Sequence, residues 1–74
     1  MKHDYETDPR SFADCLKDFS LRINGGSAYG SRQKAAEELR VPATRINDWM
    51  LGRTCPYEQA FRRQMTLISE MTRR

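Results

Sequence analysis

The chain has 74 residues, 38% hydrophobic and 31% charged, with a formal net charge of +3, which is enough for one small domain with a thin core. No apolar run approaches the roughly 18–20 residues of a membrane-spanning helix. Met1-Lys2-His3-Asp4 lacks the charged-then-apolar order of a secretory signal, so a cytoplasmic location is expected. Two cysteines, Cys15 and Cys55, and a single histidine, His3, form neither a disulfide framework nor a zinc cluster; both thiols are expected to be reduced. A core this thin rarely encloses a substrate pocket. The expectation is therefore no enzyme, no metal, no cofactor and no small-molecule ligand. Residues 1–20 carry three cations against five carboxylates, whereas residues 31–53 carry five cations against three carboxylates. That asymmetry points to a polyanionic partner for the middle of the chain.

Only four β-branched aliphatics occur (Ile23, Val41, Ile46 and Ile68) and no stretch alternates, so the chain reads as all-α. Residues 1–7 read as a flexible tail and 8–74 as one domain. Asp8-Pro9 predicts a cap and a first helical position, opening a helix over 9–23 whose apolar face is Phe12, Cys15, Leu16, Phe19 and Ile23. Asn24-Gly25-Gly26 ends it. The following glycine-containing loop lacks the Gly-Lys-Ser/Thr ending and the preceding strand of a Walker loop, and reads as a linker. Ser31 is placed to cap a second helix over 32–39, with Ala35, Ala36 and Leu39 inward. Pro42 predicts the first residue of a third helix, with Ile46, Trp49 and Met50 inward and Gly52 as its stop. Cys55-Pro56 opens a fourth helix running to Met71, with Tyr57, Ala60, Phe61, Met65, Ile68 and Met71 on one side.

The informative stretch is Gln33 to Pro56. A short helix with a small central residue, a tight corner, and a second short helix seated by a tryptophan make the helix-turn-helix pattern over 32–51. The stretch resembles the helix-turn-helix class of phage Cro proteins and lambda-type repressors at Gln33, Ala36, Leu39, Val41, Ile46, Trp49, Gly52, Arg53 and Pro56. The resemblance implies a lambda-repressor-like bundle of four to five helices. Two positions depart from the family. Arg40 stands where glycine is usual, and a left-handed arginine costs on the order of 1 kcal/mol. Pro42 stands where Ser or Thr usually begins the recognition helix, which removes a capping oxygen.

The resemblance further implies a sequence-specific regulator of double-stranded DNA, a small phage- or plasmid-like repressor that places residues 42–51 in the major groove. Base contacts are then expected from Ala43, Thr44, Arg45, Asn47 and Asp48. Phosphate contacts are expected from Ser31, Arg32, Gln33, Lys34, Arg53 and Thr54. Arg32 and Lys34 can equally balance Glu37 and Glu38 along the helix. Two-fold pairing would double a site of four or five base pairs. Met65, Leu67 and Met71 on the fourth helix are the expected homodimer surface, because methionines suit an adaptable apolar contact. The alternative readings are a protein-interaction module on the same fold and an excisionase-like architectural factor.

Overall fold

A computed structural model describes residues 3–71; the ends of the expected tail (residues 1–2) and of the expected domain (72–74) lie outside them. Four helices follow in order: α1 (Phe12–Ile23), α2 (Ser31–Leu39), α3 (Ala43–Met50) and α4 (Glu58–Met71). The all-α class expected from composition is the class observed, with no strand among the described residues.

α1 is the hub of the packing and touches each of the other three helices. Its inward face is the expected one: Phe12, Cys15, Leu16 and Phe19 are buried, with Ser20 beside them. The helix starts three residues later than Pro9. Ser11 is its cap, and the Ser11 hydroxyl accepts from the Asp14 amide at 3.2 Å. Asp8 is engaged elsewhere, accepting from the Arg10 amide at 2.9 Å in a turn ahead of the helix.

Ala35, Ala36 and Leu39 of α2 and Ile46, Trp49 and Met50 of α3 complete the core. Trp49 lies between elements. Its ring meets Phe12 edge-on at 5.8 Å and Phe61 at 4.9 Å, so Trp49 links α3 to both α1 and α4.

Within the described residues 3–7, the N-terminal segment departs from the expected loose tail. Tyr5 is 0% exposed. It packs edge-on to Phe19 at 6.0 Å, and its hydroxyl donates to Asp18 Oδ2 at 2.8 Å. The Tyr5 amide donates to Thr66 Oγ1 at 2.9 Å. A segment with no helical periodicity is thus held as a strap across α1 and α4.

The strap also rotates the inward face of α4. Arg62, Met65, Thr66 and Ser69 are buried, while Tyr57, Ala60 and Met71 are exposed. The strap presents backbone amides and carbonyls, and buried backbone groups need partners, so α4 turns donors toward it. Arg62 supplies most of them. Its Nη1 donates to the carbonyls of Tyr5 (2.8 Å) and Asp8 (3.2 Å), its Nη2 to that of Arg10 (2.9 Å), and its Nε to Glu58 Oε2 (2.9 Å). Met65, expected at a dimer surface, is instead 0% exposed and belongs to the core. Leu67 and Met71 remain exposed, at 52% and 79%.

Candidate nucleic-acid interface

The loop before α2 is closed by Asn24, whose side-chain amide donates to the carbonyls of Ser27 (2.8 Å) and Tyr29 (2.7 Å). Gly30, with φ of 74°, turns the chain into α2. Ser31, expected as the cap, is the first helical residue and is buried. Its hydroxyl donates back to the Ala28 carbonyl at 2.9 Å, so it fastens the loop. That corrects its expected place among outward phosphate contacts.

α2 ends in a Schellman closure. The Arg40 amide donates to the Glu37 carbonyl (3.3 Å) and the Val41 amide to the Ala36 carbonyl (3.0 Å). This geometry requires a left-handed residue, and Arg40 adopts it with φ 59° and ψ 44°. Val41 packs against the core at the corner. Pro42 sits just before α3 rather than inside it. Its ψ of 146° is extended, and its carbonyl takes the first helical amides, from Arg45 at 2.9 Å and Ile46 at 3.4 Å. Only Arg40, Val41 and Pro42 separate the two helices, which pack on each other. Gly52 turns the chain away with φ of 93°, and the Arg53 amide closes on the Asp48 carbonyl at 3.1 Å.

The outward face of α3 follows from this seating. With Ile46, Trp49 and Met50 inward, Thr44 and Arg45 are exposed and Asn47 and Asp48 are half-buried at the rim. Ala43 departs from its expected role: it packs against the core, because it lies one helical turn from Ile46 on the inward side.

The expected phosphate-contact residues behave differently from one another. Gln33 is exposed. Lys34 Nζ lies 3.6 Å from Glu38 Oε2, a partly exposed helical pair of little energetic weight. Arg32 crosses to the next helix, where its Nη1 donates to Asn47 Oδ1 at 2.8 Å. Thr54 is exposed, and Arg53 Nε lies 3.8 Å from Asp48 Oδ1. Asn47 is thus paired with Arg32 of α2 and Asp48 with Arg53 beyond α3, while Thr44 and Arg45 are exposed on the same helix.

Around the N-terminal strap, charge is knitted into the fold. His3 Nε2 and Arg10 Nη2 approach Asp8 Oδ2 at 2.6 and 2.7 Å. Asp18 takes the Tyr5 hydroxyl and the Arg22 Nε, each at 2.8 Å. The hydrogen bonds from Arg10, joined by that of His3, hold the Asp8 carboxyl well below the usual carboxylate range. Burial opposes the charge on Asp18, yet the hydrogen bonds from Arg22 and Tyr5 outweigh it and lower its pKa. Burial, followed by the bond to Asp18, pushes the Tyr5 phenol well above its ordinary value. Burial also raises the thiols of Cys15 and Cys55, which are free.

Among the described residues, no three His, Cys, Asp or Glu side chains converge as metal ligands, and no helix is long and apolar enough to cross a membrane. Comparison with protein-family models, with curated proteins and with solved structures finds no match.

Proposed function

We propose that the protein is a sequence-specific double-stranded DNA-binding regulator that inserts α3 into the major groove as the second helix of a helix-turn-helix. The observation that carries the reading is the α2–α3 corner. Three residues join two packed helices, the apolar side of α3 is fully engaged in the core, and its other side offers Thr44, Arg45, Asn47 and Asp48. An eight-residue helix with one face buried and one polar face presented fits a groove about 12 Å wide. The net positive balance of residues 31–53 supplies attraction to phosphate. On this reading Gln33, Lys34, Arg53 and Thr54 meet the backbone, and α3 meets base edges.

A small repressor of the phage or plasmid type fits this size. Two copies would pair through Leu67 and Met71, which α4 leaves exposed, and read an inverted repeat with half-sites about one helical turn apart.

The test is selection from a pool of random-sequence duplexes, followed by titration of the selected site at increasing salt. An enriched motif is expected, with a log–log salt slope of about −3 to −5 from three to six neutralised phosphates per subunit. Failure to enrich any motif, or affinity unchanged between low and physiological salt, overturns the reading.

A further inference from the structure

The hydrogen bond from Arg32 to Asn47 joins residues 15 apart on different helices, and both stand at the edge of the polar face. The chemistry of arginine fixes the orientation of the asparagine. A guanidinium has five N–H donors and no acceptor, so the atom of Asn47 turned toward Arg32 is the carbonyl oxygen. Among the described residues, Asn47 Nδ2 has no protein partner. The hydrogen-bonding capacity left at this edge is therefore rich in donors: the two Nδ2 hydrogens and the unbonded guanidinium N–H groups.

Arg32 is exposed and borders a shallow cleft together with Leu21, Ala28 and Met50.

Asparagine reads adenine by accepting from N6 through Oδ1 while donating to N7. In this structure Oδ1 is already engaged by a cation. Guanine presents two acceptors, O6 and N7, in the same groove, and these match a donor-rich edge. Resting on the DNA-binding reading above, we infer that Arg32 and Asn47 act as one unit that reads a guanine, with Arg32 setting the specificity of Asn47. Arg32 is thus a specificity-determining residue and not a phosphate contact.

The experiment is selection from random-sequence duplexes with the wild-type chain and with Arg32→Met, Arg32→Lys and Asn47→Ala, each checked for an unchanged helical signal. The wild type is expected to select guanine at one half-site position. Arg32→Met keeps the stem but frees Oδ1, so the preference at that position moves from guanine toward adenine by about tenfold in relative affinity. Arg32→Lys keeps the charge but loses the planar fork, and guanine preference weakens while the salt slope stays. Asn47→Ala lowers discrimination at the same position and nowhere else. Selection of adenine by the wild type overturns the inference. So does an Arg32→Met chain that binds all sequences uniformly more weakly, with a salt slope smaller by about one, because that is the signature of a phosphate contact. A wild-type chain that enriches no motif defeats the DNA-binding reading itself, and the inference with it.

Discussion

The strap side and the α2–α3 side use polar side chains in opposite ways. Around the strap, Tyr5, Asp8, Arg10, Asp18, Arg22 and Arg62 are bonded to one another or to backbone, and Asp8 and Arg62 are almost wholly covered. Along α2 and α3, Gln33, Thr44 and Arg45 are exposed, and the ion pairs of Lys34 and Arg53 are long. Polar groups that hold a thin core together are consumed by the fold. Those on the other side, the Arg32–Asn47 bond apart, are engaged only loosely within the chain. Substitutions on the two sides should therefore separate stability from recognition.

The largest effect is expected where the two sides meet. Trp49→Ala removes the ring between Phe12 and Phe61 and should cost about 3–5 kcal/mol in chemical denaturation. A small loss there would mean that the sides are independent. Arg62→Met preserves much of the stem and removes the donors to three strap carbonyls, with an expected cost of about 1–3 kcal/mol. Amides near Tyr5 should exchange faster, while the preferred DNA sequence stays the same. Arg45→Ala is the mirror case: melting within about 0.5 kcal/mol of wild type, and about 1–3 kcal/mol of discrimination lost at a selected site if the residue reads a base. Unchanged selected-site binding would move the recognition surface away from Arg45.

The smallest and broadest effect is in pH. Asp8 and Asp18 have lowered pKa values in the fold. Their contribution is present above the ordinary carboxylate value of about 4 and lost as pH falls below it. The raised Tyr5 phenol acts at the other end, where stability falls as pH rises past about 10, because the unfolded chain ionises first. Thermal melts across pH should show a plateau between these limits, and Asp8→Asn should flatten the acid limb.

The helices containing residues 12–23 and 43–50 were legible because their apolar residues recur at three- and four-residue steps and end at Gly25 and Gly52. At Arg40 the sequence raised a left-handed conformation only as a condition attached to the resemblance; the Schellman closure of α2 is what fixes it. The role of Tyr5 was not. Its partners Thr66 and Arg62 lie 61 and 57 residues away, and such pairing leaves no local period. The same absence hid Arg62. The spacing of 62, 65, 66 and 69 marks a helical stripe, but an arginine and two hydroxyl residues do not read as an inward face until the strap is known to lie there. Met65 was accordingly assigned outward. In the candidate interface the α3 face was readable from the positions of Ile46 and Trp49 except at Ala43, which packs inward, whereas the Arg32–Asn47 bond depends on how two helices cross.

Strap closure also sets an order on synthesis. The carbonyl of Tyr5 waits for Arg62, which a ribosome adds 57 residues later, roughly 3–11 s at the usual elongation rates. In that interval Tyr5 lacks the Thr66 and Arg62 partners that hold it over Phe19. The nascent chain therefore carries an open apolar seam until α4 emerges. Chaperone contact and premature aggregation are expected to concentrate there, and a slower passage through the codons for residues 58–66 should lengthen the exposure without altering the finished protein.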